Sequence, residues 1–219
     1  MIEGVTVAAV LFDMDGTLID SEQLWAVSLQ QLATEYGGEL SEAARFRMVG
    51  TDMPTSMRIF HEDLGELDRD HAVSAERLVE LTETLFAAGL PWRPGARELL
   101  DEVRVAGVPA ALVTSTERRL VKIALDTLGS FDAVVCGDEV DRAKPHPTPY
   151  LRAAELLGVP IEECVAIEDS VTGVRSAVAA GARVLGVPCE VELAGNLGAV
   201  VLPTLAGVDL AYLRSFAAR

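Results

Sequence analysis

The chain has 219 residues, half of them hydrophobic, which is enough to bury a full core. No apolar run reaches the roughly 18 residues that a membrane helix requires. Its 34 acidic and 18 basic residues leave a formal charge of −16, so a nucleic-acid backbone would be repelled over most of the surface. Cys136, Cys164 and Cys189 are an odd set without close pairing, which argues against a disulfide framework or a zinc site and points to three core residues in a reducing cytoplasm.

The N-terminus, Met1-Ile2-Glu3-Gly4, is acidic where a secretory signal would be basic, so export is not expected. A first strand is predicted at Val7–Phe12. From about Ile19 to Leu90 no valine-rich run occurs and the pattern is helical throughout. Asp20 is placed to cap a helix with Gln23 three residues on, followed by Trp25, Leu29, Leu32 and Tyr36 on one face and Gly37-Gly38 at the end. Met57, Phe60 and Leu64 form a second apolar stripe, and Leu78, Leu81 and Leu85 a third, ended near Gly89 and Pro91.

Strand–helix alternation then takes over. Strands are predicted at Val108–Val113, Ala133–Cys136, Val165–Ile167 and Val184–Val187, with a sixth at Ala199–Leu202. Helices are predicted at Glu98–Val105, Glu117–Leu128, Thr148–Leu157 and Val171–Ala180, each closing near a glycine. This is the pattern of an α/β fold: a Rossmann-like parallel-sheet core with an inserted all-helical cap domain. The core would comprise residues 1–18 and 92–219 and the cap residues 19–91. Leu18–Asp20 and Leu90–Pro94 would be the two crossings.

Chemistry gathers at the predicted strand ends. Asp13-Met14-Asp15-Gly16-Thr17 follows the first strand, at the edge where open α/β sheets bind ligands. Of two carboxylates so placed, one can attack phosphorus while the other handles the proton of the leaving oxygen, and Gly16 permits the tight turn between strand and loop. The pair fits equally a solvent-facing turn or a lone metal site. Thr114 and Ser115 end the second strand with hydroxyls able to donate to a phosphoryl oxygen, or simply to cap the next helix. Lys144, one of two lysines against 16 arginines, precedes Pro145 and could lie against a phosphate and a nucleophile, or be a solvated loop cation. At about 4 Å and an effective dielectric of about 20, one such charge pair amounts to about 4 kcal/mol. Glu168-Asp169 ends the fourth strand with adjacent acids, one of which can complete an oxygen set for Mg²⁺ beside Asp13.

Taken together, these segments resemble the haloacid dehalogenase superfamily in all four of its signature motifs, over nearly the whole chain. The resemblance is to the branch of phosphoglycolate phosphatases and β-phosphoglucomutases, whose helical cap follows the first motif. It implies an Mg²⁺-dependent phosphatase that hydrolyses a small phosphorylated metabolite through an aspartyl phosphate. Asp13 would be the nucleophile and Asp15 the general acid/base, with the main-chain carbonyl of Asp15 also on the metal. Thr114 and Lys144 would hold the phosphoryl group, Asp169 would bind magnesium directly, and Glu168 directly or through water. Gly16 and Ser115 complete the expected phosphate-binding set. No nucleic-acid or membrane partner is expected, and a monomer or small homo-oligomer fits equally well.

Three other readings share parts of this pattern. A sugar phosphomutase of the β-phosphoglucomutase type would carry a cap histidine about a dozen residues beyond the nucleophile, where this chain has Trp25. A phosphorylation switch would place its aspartate after a later strand and lack the insertion, and a silent phosphate-binding protein would not need every chemical position filled. Within the cap, Arg45, Arg47, Arg58 and His61 are candidates to touch a substrate, more often found as surface residues, and Gly50-Thr51-Asp52-Met53 is a candidate loop facing the site.

Overall fold

The structure, a computed structural model, describes residues 7–195 and 197–218. The acidic start of the chain lies outside the described residues. Six parallel strands form one sheet: β1 (Ala9–Phe12), β2 (Ala110–Val113), β3 (Ala133–Val135), β4 (Cys164–Glu168), β5 (Arg183–Gly186) and β6 (Val200–Val201), in the order β3-β2-β1-β4-β5-β6. This is the doubly wound arrangement, and its order reverses between β1 and β4. Register at that junction pairs Phe12 with Ile167, so the residues that follow, Asp13 and Glu168-Asp169, emerge side by side.

The strands are short continuous apolar runs because both faces of the sheet are covered. Val10, Phe12, Leu112 and Ile167 turn to one face, against α5 (Ala96–Val105), α6 (Arg118–Leu128) and α9 (Leu210–Ala217). Ala9, Leu11, Val113 and Ala166 turn to the other, against α7 (Thr148–Leu157) and α8 (Val171–Ala180). Cys136 and Cys164 are buried as expected; Cys189 is only half-buried, because it lies in the loop beyond β5.

Between β1 and α5 lie α1 (Glu22–Glu35), α2 (Glu42–Met48), α3 (Met53–Leu64) and α4 (His71–Ala87). These pack around a cluster of their own that includes Leu29, Leu32, Met48, Met57, Phe60 and Leu78. The two chain crossings run together: Asp20 N–H donates to the Pro91 carbonyl at 2.8 Å and Arg93 N–H to that of Leu18 at 2.9 Å.

Two local expectations need correction, and one helix was not foreseen. Ser21, not Asp20, precedes α1, and its hydroxyl caps nothing because it is turned toward Asp15. The buried face of α4 is Leu78, Val79, Thr82 and Phe86 rather than Leu78, Leu81 and Leu85, since α4 must reach both the cap cluster and the core. α2, seven residues opened by the Ser41 cap, was hidden by its charged sequence. Among the described residues no helix is long and apolar enough to cross a membrane.

Candidate active site

The carboxyl edge of the sheet and the underside of the cap enclose a cleft of about 100 Å³. Asp13 sits at its floor. Its N–H donates to the Ile167 carbonyl at 3.0 Å, which continues the β1–β4 ladder one residue past the strand and holds the side chain at the switch point. Lys144 reaches it from the loop before α7. All three donors of that ammonium are engaged: Asp13 Oδ1 at 2.7 Å, Glu168 Oε1 at 2.6 Å and the Val113 carbonyl at 2.9 Å. Its side chain is 2% exposed, so the solvated-cation reading does not hold.

Glu168 receives a second donor at Oε1 from the Tyr150 hydroxyl, 2.6 Å away, and Ser170 Oγ approaches Oε2 at 3.3 Å. Tyr150 was not singled out from the sequence. The clue was present, because a tyrosine on the buried stripe of α7 needs a partner for its hydroxyl.

Asp169 completes the floor. Acceptor oxygens of Asp13, Glu168 and Asp169 all lie within 4.8 Å of one another. Gly16 explains how the first loop comes so near: at φ +77° it takes a left-handed turn, and a Cβ there would stand 2.1 Å from Asp169 Oδ2. Gly16 thus serves the turn beneath Asp169 and is not among the residues lining the cleft.

The electrostatics follow from one cation among three buried carboxylates. Burial, with Glu168 and Asp15 adding to it against the pull of Lys144, pushes the Asp13 carboxyl up to about 7. Burial, with Asp13, Glu168 and Glu22 adding to it, holds Asp169 well above the usual carboxylate range. Lys144 is disfavoured by burial, but Asp13 and Glu168 more than offset this and it keeps its proton. Asp13 Oδ2 is buried with no hydrogen-bond partner. Excess negative charge, an orphaned oxygen and three clustered carboxylates are the needs a hard divalent cation satisfies, so this donor set fits one.

Asp15 meets different surroundings. Ser21 Oγ donates to its Oδ1 at 2.5 Å and Trp25 Nε1 to the same oxygen at 3.1 Å, while Thr116 Oγ1 donates to Oδ2 at 2.7 Å. Thr114 Oγ1 stands 3.4 Å from Oδ2 and accepts from the Thr116 N–H at 3.0 Å. Ser21, Trp25 and Thr116 as partners of Asp15 were not legible beforehand, since two come from the start of α1 and one from beyond β2. Ser115 lines the cleft, as do Thr114, Asp13, Asp15, Lys144 and Asp169.

From the cap, Gly50, Thr51 and Met53 line the cleft as expected, whereas Asp52 turns back to cap α3, accepting from the Thr55 N–H. Thr172 Oγ1 on the core donates to the Gly50 carbonyl at 2.7 Å, and Arg119 of α6 pairs with Glu76 and Glu83 of α4, so the helices lie down on the sheet edge. Of the four cap candidates only Arg45 lines the cleft. Arg47 and Arg58 pair with Glu62 on the surface, and His61 is fully buried between the Glu66 carbonyl and Ser74.

Comparison with known proteins agrees with this geometry. The family model of the haloacid dehalogenase-like hydrolases matches residues 10–187. The chain is 37% identical over 183 residues to the phosphorylated carbohydrates phosphatase of Thermotoga maritima, covering 82% of this chain and 84% of that protein. It is 37% identical over 185 residues to hexitol phosphatase A of Escherichia coli, covering 81% of each. The crystal structure of CbbY from Rhodobacter sphaeroides in complex with phosphate superposes with a TM-score of 0.83 at 29% identity, over 94% of this chain and 98% of that one. The chain therefore belongs to the haloacid dehalogenase-like hydrolases, as a phosphoric monoester hydrolase.

Proposed function

We propose that the protein is an Mg²⁺-dependent phosphatase of a small phosphorylated metabolite, working through an aspartyl phosphate on Asp13. The observation that carries this reading is the state of Asp13: Lys144 fixes one carboxylate oxygen, and the other is buried at the cleft floor without a donor. Asp13, Asp169 and the main-chain carbonyl of Asp15 would hold the ion, with Glu168 beside them directly or through water. Magnesium there would neutralise charge between the carboxylates and an incoming phosphate dianion.

Asp13 attacks phosphorus in line as the bond to the leaving oxygen breaks, and Asp15 passes a proton to that oxygen. Asp15 then takes a proton from a water that attacks the phosphorus, which releases phosphate and restores the Asp13 carboxylate. Lys144 faces charge spreading over the phosphoryl oxygens, with Thr114 and Ser115 on the same edge. Ser21, Trp25 and Thr116 set the direction of Asp15. The division into a core of residues 1–18 and 92–219 and a cap of residues 19–91 is part of the proposal, supported by the separate apolar cluster of α1–α4 and the paired crossings. The cap would open to admit substrate and exclude water when closed.

Trp25 weighs against a mutase. Its indole N–H is a donor only and cannot exchange a proton as an imidazole can. A silent binder is disfavoured because Asp13, Asp15, Thr114, Ser115, Lys144 and Asp169 all line one cleft.

Acid quenching during turnover of a radiolabelled phosphomonoester tests the reading. Label is expected on a peptide containing Asp13, only when Mg²⁺ is present. Full phosphate release without any phosphorylated Asp13 would overturn it.

A further inference from the structure

Much of the cap's contribution to the cleft is carbon, from Trp25, Leu29, Met48, Met53 and Leu78. Two charged side chains of the cap stand among them, Glu22 and Arg45. The charge balance there decides what else can enter with the phosphate. Five carboxylates line the cleft (Asp13, Asp15, Glu22, Glu117 and Asp169) against two cations, Arg45 and Lys144. Neither cation is free: Lys144 is held by Asp13 and Glu168, and Arg45 is paired with Glu190 from the loop beyond β5. A divalent ion at the floor would serve the phosphate, leaving nothing for a second anionic group.

The carboxyl groups of Glu22 and Glu117 have no hydrogen-bond or ion-pair partner among the described residues, and of the two the cap residue is Glu22. Burial, together with Asp15 and Glu190 and only partly countered by Arg45, pushes its carboxyl up to about 8, and no hydrogen-bond donor among the described residues relieves it. A substrate hydroxyl would supply that donor and favour the ionised form. Once Glu22 is ionised, a substrate carboxylate or second phosphate would instead add to the repulsion.

We propose that Glu22 reads the part of the substrate beyond the phosphate, accepting hydrogen bonds from its hydroxyls and barring a second anion. The substrate class is then the monophosphate of an uncharged, hydroxylated carbon chain, and phosphorylated carboxylic acids and bisphosphates are excluded. This rests on the phosphatase reading of the same cleft. The apolar cap residues suit the C–H faces of such a chain. Glu22 lies on the first turn of α1, one residue after Ser21, so contact with the substrate chain and orientation of Asp15 are set by the same helix end.

A matched pair of probes tests it: glycerol 3-phosphate and 3-phosphoglycerate, which differ by a hydroxymethyl group replaced by a carboxylate. Wild type is expected to favour the polyol in kcat/KM by about tenfold or more. Assayed above about pH 8, where Glu22 is ionised, Glu22→Gln, which keeps shape and removes charge, is expected to narrow that ratio at least about threefold, raising kcat/KM for the acid and lowering it for the polyol. Glu22→Ala is expected to lose the polyol preference chiefly through KM, with melting curves showing that both variants fold. A wild type that prefers the acid, or a ratio unchanged in both variants, would overturn the assignment of Glu22. Wild-type hydrolysis of p-nitrophenyl phosphate with Mg²⁺ reports the parent reading separately. Its presence alongside an unfavourable ratio sinks only the present inference, and its absence sinks both.

Discussion

On the floor of the cleft, Asp13 and Glu168 share a single lysine beside Asp169, and one oxygen of Asp13 has no partner among the described residues. Two residues along the chain, Asp15 is ringed by donors from Ser21, Trp25 and Thr116. Neighbours in sequence thus occupy opposite electrostatic regimes. The floor is under-supplied with positive charge and donors, which suits binding a cation and an electrophile. The surroundings of Asp15 are rich in donors, which suits holding one carboxyl in a fixed direction for proton transfer. Buried polar groups must be satisfied by something, so the unsatisfied region is the one that awaits ligands.

Breaking the floor should have the largest effect. Asp13→Asn is expected to lower turnover about a thousandfold or more while leaving the fold intact, since it removes a buried charge that the protein pairs only on one side. Phosphate release with Mg²⁺ and circular dichroism check the two halves; wild-type rates in this variant would remove Asp13 from the role of nucleophile. Lys144→Met is expected to lower kcat/KM about a hundredfold and to destabilise the metal-free protein by about 3–5 kcal/mol, because carboxylates are left buried without their cation. Denaturant titration measures the second effect, and an unchanged midpoint would mean that the floor tolerates its charge without the lysine.

Disturbing the surroundings of Asp15 should cost less and show selectivity. Trp25→Phe keeps the ring that packs edge-on against Phe86 and deletes one of the donors on Asp15. A loss of about tenfold is expected with an alkyl phosphate, whose leaving oxygen needs a proton. An aryl phosphate leaves as a stable phenolate, so it should show little loss. Equal losses on both would mean that Trp25 acts by packing alone.

The smallest effect concerns pH and stability. Between its ordinary 4.5 and about 8, Glu22 keeps a proton in the folded chain that the unfolded chain has released. Its contribution is therefore fully present below 4.5 and is lost as pH rises through about 8. Glu22→Gln has no such proton, so its melting temperature should gain on wild type across that window and run parallel above it. Melting curves over the range test this, and a constant offset would show that Glu22 ionises freely.

Particular residues show how far the amino-acid sequence reaches. The strands were legible because a parallel sheet buried on both faces demands uninterrupted apolar runs, and the helices of the core because glycines close them. Asp13, Asp15, Thr114, Lys144, Glu168 and Asp169 were legible because each follows a strand, and strand ends of a doubly wound sheet share one edge whatever separates them in the chain. The partners of those residues were not. Tyr150 reads as helix core, Ser21 as a polar residue before a helix, and Glu22 as an exposed acid of a first turn. Each acquires its role only when elements far apart in the chain pack together, through contacts such as Tyr150 with Glu168 and Arg45 with Glu190, the latter 145 positions apart. Local spacing determines what a residue can do chemically, whereas burial and the proximity of distant charges decide what it is made to do, and those are properties of the packed molecule.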